Sequence, residues 1–231
     1  MTTADHSPNI HPSDPRIAVP LYTMRQVSQF LAVPRSTLIR WHPFISQMEV
    51  SQRQQPSWPF MGLVEAYVLD AFRKAGVPFQ RIRPALTMLT QTIGLEHALA
   101  SRKLYTDGAE ILYEWSTHDD ITSQESIARL VIVRNGQQVF RDIVAQYLQR
   151  IIWGEDGYPL MLQLPLYRQA RILADPARAF GQPIFAQSAT KVADVLQRFG
   201  AGDALTSIAD DYGLSFAEVE DVVRVASSRA S

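Results

Sequence analysis

The sequence predicts an α+β fold, helical at both ends and strand-rich between them. Three observations carry that prediction. Apolar residues recur at helical spacing from Val27 to Trp41 and again from Val64 to Ile93. Between Ile111 and Ala186 the pattern changes to short apolar runs bounded by Gly, Pro and the hairpin-forming pair Asn135-Gly136. From Lys191 the helical spacing returns in three successive segments.

The N-terminal elements each have a chemical boundary. Thr23 and Gln26 have the spacing of a capping box, and Val27, Phe30 and Leu31 follow on one helical face. Val33-Pro34 stops that helix, and Pro34 suits the first turn of a second one running to Trp41. Leu38 and Trp41 then turn inward, leaving a polar face with Arg35, Ser36 and Arg40. Residues 43–60 hold Pro43, Pro56 and Pro59 around a partly alternating run from Phe44 to Val50, which predicts a short strand and a polar turn at Ser51 to Gln55, together a wing. A third helix follows through Val64, Tyr67, Val68, Ala71 and Phe72 to a stop at Gly76. A fourth carries Ile82, Ala85, Leu86, Leu89 and Ile93.

Farther along, strands are expected at Ile111 to Trp115, Leu130 to Val133 and Gln138 to Phe140, with a helix around Ile143 to Leu148. Leu160 to Tyr167, Ile172 to Leu173 and Ile184 to Ala186 read as further strands of a small mixed sheet. The alternating Leu160, Leu162, Leu164 and Leu166 read as core rather than as a partner-binding edge. Three helices close the chain: Gly200 and Gly202 end the first, Asp203 is placed to cap the second, Gly213 ends it, and Ser215 with Glu218 forms a second capping box.

With 231 residues and 46% hydrophobic content, the chain can build one large or two modest cores. It contains no cysteine, which excludes disulfides, thiolate metal sites and cysteine nucleophiles. Residues 1–20 carry four prolines and neither the basic start nor the apolar run of a secretory signal, so a disordered tail is expected. No run reaches the roughly 18 apolar residues of a membrane span, which predicts a soluble, cytoplasmic protein with no membrane partner. The net charge of −1 conceals a basic block: residues 16–83 hold nine basic side chains against three acidic ones. Phosphate binding by one domain requires such a block, although a solvated surface could also carry it.

Residues 21 to about 94 resemble the DNA-binding half of MerR-type regulators. The likeness rests on Tyr22-Thr23-Met24-Arg25-Gln26-Val27, on Leu31 through Trp41 with its Ser36-Thr37-Leu38-Ile39-Arg40-Trp41 pattern, and on Arg73 through Arg83. It implies a winged helix-turn-helix whose second helix enters the major groove, with Arg35, Ser36, Thr37 and Arg40 facing bases, and with Arg25 and the wing residue Arg53 as further DNA contacts. Arginine can donate two bonds to a guanine edge, and serine and threonine hydroxyls can bond phosphates or bases.

Residues 175 to about 226 resemble a small antitoxin module, formerly of unknown function, found beside PIN-like ribonuclease toxins. The carrying residues are Asp175-Pro176, Phe180-Gly181-Gln182-Pro183-Ile184, Val192 to Leu196, Gly202 to Leu205, Ile208 to Leu214 and Glu218-Val219; Ser188-Ala189-Thr190 stands where that family commonly has Gly-Thr-Arg. The combined order is similar to long VapB-type antitoxins. It implies a homodimer that binds operator DNA and blocks a PIN-like toxin, with the organisation 1–20 disordered tail, 21–100 DNA-binding domain, 101–174 central α+β linker or dimerisation region and 175–231 antitoxin-like helical module.

Rival readings are a MerR-like regulator with a sensing domain and no toxin, an interaction protein that no longer binds DNA, and, last, an enzyme. A cysteine-based metal sensor is ruled out by composition. The five histidines (His6, His11, His42, His97, His118) make no metal-binding spacing. The adjacent pairs Asp119-Asp120 and Asp210-Asp211 point apart rather than converging on a metal. Gly200-Ala201-Gly202 lacks the lysine of a phosphate loop. No catalytic residue, metal site or cofactor is expected.

Overall fold

A computed structural model describes residues 10–48, 55–74, 97–102 and 149–229 of the chain. Its N-terminal half is built from a helical turn α1 (Pro15–Ala18), helices α2 (Met24–Leu31) and α3 (Arg35–Trp41), and the longer α4 (Phe60–Lys74). Strands β1 (Ile151–Trp153), β2 (Pro159–Gln163), β3 (Ile172–Ala174) and β4 (Ile184–Phe185) follow, then helices α5 (Val192–Gly200), α6 (Leu205–Tyr212) and α7 (Phe216–Ser227). The architecture is α+β.

The tail reading of residues 1–20 fails over its second half. Asp14 accepts the Arg16 N–H and caps α1, Ile10 is buried, and the Arg16 guanidinium bridges Asp14 and Asp156. The four prolines masked this order, because the contacts that create it come from residues more than a hundred positions away.

The four strands pair in sequence order as an antiparallel meander, β1-β2-β3-β4. Ile151 faces Leu162, Leu162 faces Ala174, and Ile172 faces Phe185. The sheet is therefore antiparallel rather than mixed, as connections too short for a crossover require. β1 escapes the periodicity reading because three residues give too little pattern. In β2 the leucine stripe is only partly core: Leu162 and Leu164 are buried, whereas Leu160 near the start of the strand is 41% exposed. Residue 174 falls inside the sheet, so the 174/175 boundary cuts through one structural unit.

α4 is buried on every side from Phe60 to Phe72, beyond the single apolar face its spacing suggests. Its two acids are paired. Glu65 accepts the Ser46 N–H at 2.6 Å and meets His97 Nδ1 at 3.2 Å. Asp70 is held by Arg73 and Lys74, each at 2.7 Å. At Gly62 the helix comes so close to the Ser46 carbonyl that a Cβ would collide with it. One continuous apolar cluster runs from Ile10 through α2, α3 and α4 to the sheet and α5–α7.

In the C-terminal unit, Ser215 and Glu218 form the expected capping box, and Gly213 ends α6 at φ +63°. Asp203 does not cap α6, whose N-cap is Ala204; Asp203 accepts instead from Arg198 Nε at 2.6 Å, a charged partner that outcompetes backbone N–H groups. The wing tip with Arg53, the fourth helix over 82–93, the strands over 111–115, 130–133 and 138–140, and the 143–148 helix lie outside the described residues.

Candidate nucleic-acid interface

The helix pair α2–α3 is set by its caps and by its two buried stripes. Thr23 Oγ1 accepts the Gln26 N–H, and Gln26 Oε1 accepts the Thr23 N–H at 2.8 Å, closing the expected capping box. α2 ends when Ala32 adopts a left-handed conformation at φ +53°, and Ser28 locks the turn by donating its hydroxyl to Val33 O at 2.7 Å. Pro34 then serves as N-cap of α3. Val27 and Leu31 from α2 and Leu38 and Trp41 from α3 are buried, so the two helices are fixed from beneath.

Behind them, Tyr22 and Trp58 form an antiparallel bridge, and the Met48 N–H donates to Ser57 O at 2.8 Å. The flanks of the expected wing are thus joined, but residues 44–48 form a 3₁₀ turn and an irregular segment rather than a strand. The Tyr22 ring meets Phe30 edge-on at 5.8 Å. Its hydroxyl donates to Gly181 O at 2.9 Å, tying the helix pair to the loop before β4. Burial, reinforced by the charge of Asp175, pushes the Tyr22 phenol well above its ordinary range. Gly181 has φ +73°, and a Cβ there would stand 2.5 Å from the Tyr22 oxygen, so glycine is required on both counts.

With those stripes buried, the opposite surface is fixed. Arg35, Ser36 and Arg40 on α3 and Arg25 on α2 are exposed, and Thr37 is half-buried. Gln29 and Ile39 share the exposed side. Of the six residues singled out from the sequence, four are thus exposed on α2 and α3 and Thr37 is half-buried there; the sixth, Arg53, lies outside the described residues. Sequence reasoning passed over Ile39, an apolar residue lying off the Leu38–Trp41 stripe, although that displacement was itself a signal. Arg25, Arg35 and Arg40 take part in no ion pair with a described residue, whereas Arg16, Arg178, Arg198 and Arg224 are each bound to aspartate. The α2–α3 face thus keeps its positive charge available to an external anion. Among the described residues no cluster of three or more His, Asp or Glu could hold a metal ion, and no helix is long and apolar enough to cross a membrane.

Two segments match known families. Residues 42–86 match a family described as "Putative DNA-binding HTH domain". Residues 172–225 match DUF433, described as "Protein of unknown function". The first match begins just after α3 and includes α4, so it overlaps the MerR-like block while leaving α2–α3 outside it. Over 226 residues the chain is 40% identical to a Mycobacterium tuberculosis (strain ATCC 25618 / H37Rv) protein named "Putative antitoxin VapB45", covering 90% of this chain and 94% of that protein. A second protein of that strain, "Uncharacterized protein Rv2308", is 26% identical over 223 residues, 88% of each chain. The crystal structure of Rv2018 from Mycobacterium tuberculosis superposes with a TM-score of 0.78 at 43% identity, covering 90% of this chain and 99% of that one.

Proposed function

Because the chain belongs to the family of the antitoxin VapB45, we propose that it is the antitoxin of a type II toxin–antitoxin pair, binding operator DNA and neutralising a PIN-like ribonuclease toxin. The observation that carries the DNA-binding part is that Arg25, Arg35 and Arg40 are exposed, with no ion-pair partner among the described residues, on a helix pair whose opposite faces are buried. α3 enters the major groove with Arg35, Ser36 and Arg40 toward base edges; Thr37, Arg25 and the wing residue Arg53 contact phosphates beside it. Two copies occupy successive grooves of a palindromic operator upstream of the antitoxin's own gene, and binding there represses transcription. The toxin is held elsewhere on the chain. Residues 175–231 carry eight acidic and five basic side chains, which suits the basic surface an RNA-cleaving enzyme presents.

The test is fluorescence anisotropy with duplex DNA from upstream of the coding sequence, over a series of salt concentrations. Arg35→Ala and Arg40→Ala should each weaken binding by about 1–3 kcal/mol where the arginine reads a base, and a phosphate contact should lower the salt slope by about 1. Unchanged binding by the double variant at low salt would end the reading of α3. Co-expression with the neighbouring gene product, followed by an RNA-cleavage assay of the complex and of the separated partner, tests neutralisation independently.

A further inference from the structure

We infer that Ile39 is a specificity-determining residue of the DNA-reading helix, and that it recognises a thymine by contact with the 5-methyl group. The inference rests on the DNA-binding reading above and deepens it. Ile39 is 60% exposed, an unfavourable place for a large aliphatic side chain. It is not a frayed core residue, because its neighbours Leu38 and Trp41 are the ones buried, at 0% and 4% exposure.

Its place around the helix is what connects it to recognition. At about 100° per residue, the exposed side of α3 runs in order Arg35, Ile39, Ser36, Arg40 over an arc of about 140°. The isoleucine therefore lies between Arg35 and Arg40, neither of which is paired with a described acid, and cannot avoid the groove floor if they reach it. Donor and acceptor atoms of bases satisfy arginine and serine, but an sec-butyl group placed among them would desolvate polar edges for no return. The major groove offers one apolar group, the thymine methyl. A β-branched side chain, with few rotamers to lose, suits a fixed contact of that kind.

The experiment begins with selection of duplexes from a random-sequence library by the full chain. Each dT of the enriched sequence is then replaced singly by dU, which removes only the methyl group, and anisotropy is measured for wild type, Ile39→Val and Ile39→Ala. One dT→dU replacement should weaken wild-type binding about fourfold, the equivalent of one buried methylene-sized group, and should leave Ile39→Ala unaffected. Ile39→Val should keep most of the discrimination, and the salt slope should be the same in all three proteins, since no phosphate contact changes. The inference is overturned if every dU replacement is neutral, if the methyl and side-chain losses simply add, or if Ile39→Ala weakens enriched and unselected duplexes equally. Failure to enrich any sequence overturns the DNA-binding reading along with it. Enrichment with Arg35→Ala defective and all dU probes neutral removes the role of Ile39 alone.

Discussion

Asp221 joins the last helix to the sheet, and its removal is the sharpest test of how the C-terminal unit is held. Its side chain on α7 is almost fully buried, at 1% exposure. Oδ2 accepts the backbone N–H groups of Arg168, Gln169 and Ala170 at 2.7, 2.8 and 3.1 Å, while Oδ1 accepts from Arg224 at 2.8 Å. Bonds to a charged acceptor contribute about 1.5–3 kcal/mol each, but three of these four donors belong to exposed residues and can turn to water once freed. Only the Ala170 N–H is left buried without a partner, so Asp221→Ala should cost about 3 kcal/mol, or roughly 6–12 °C in a chain of this length. Asp221→Asn keeps one acceptor oxygen and should lose about half as much. Burial raises the Asp221 carboxyl, yet the N–H groups of Ala170, Gln169 and Arg168 together with Arg224 outweigh it and hold the group below its usual range. A depressed folded-state value means the stabilisation is fully present above about pH 4 and is lost as the pH falls through that lower value. The assay is urea unfolding at several pH values. A loss for Asp221→Ala under about 1 kcal/mol at pH 7, or a gap between wild type and Asp221→Asn that widens on acidification, would refute the reasoning.

Gly181→Ala should destabilise the chain by about 1–2 kcal/mol from the left-handed backbone alone, and by more if the Tyr22 hydroxyl is displaced; a urea midpoint equal to wild type would contradict the close approach. Combining it with Tyr22→Phe should give less than the sum of the two losses, because both act on the same contact. Thr23→Ala removes one side of the capping box and should cost about 1 kcal/mol by the same measurement. Arg40→Ala should stay within about 0.5 kcal/mol of wild type, so its effect on DNA binding can be separated from any effect on folding.

What was legible in the sequence was local. Thr23–Gln26 and Ser215–Glu218 are read three residues apart and close as capping boxes, and Leu38 with Trp41 fixes which side of α3 faces inward. What was hidden depends on partners far along the chain. Arg16 is held by Asp156, β1 is paired with β2, and Tyr22 meets Gly181 across the molecule. Asp203 shows the same limit at short range, since the helix begins one residue later, at the N-cap Ala204, and Asp203 pairs with Arg198 instead. For the candidate site, the arginines were singled out by the MerR-like resemblance and by their charge on a polar face, whereas Ile39 was passed over because apolar residues are assigned to the core by default.

Helix-turn-helix geometry does not by itself select the surface that meets DNA, because the described residues include two such pairs. α6 and α7 are joined through the left-handed Gly213 much as α2 and α3 are joined through the left-handed Ala32. Their surfaces carry opposite charge. α6 exposes Asp210 and α7 exposes Glu220, neither of them in an ion pair with a described residue. The arginines on α5 and α7 are engaged, Arg198 by Asp203 and Asp211, and Arg224 by Asp221. A duplex approaching α7 would meet unbalanced carboxylates and release few counterions, so the electrostatic term that dominates DNA affinity would oppose it. On α2 and α3 the same term is favourable, since Arg25, Arg35 and Arg40 are exposed with no acid among the described residues to neutralise them. The proposal that α2–α3 rather than α6–α7 meets DNA therefore rests on which arginines the fold leaves without an acidic partner among the described residues, and not on helix-turn-helix geometry.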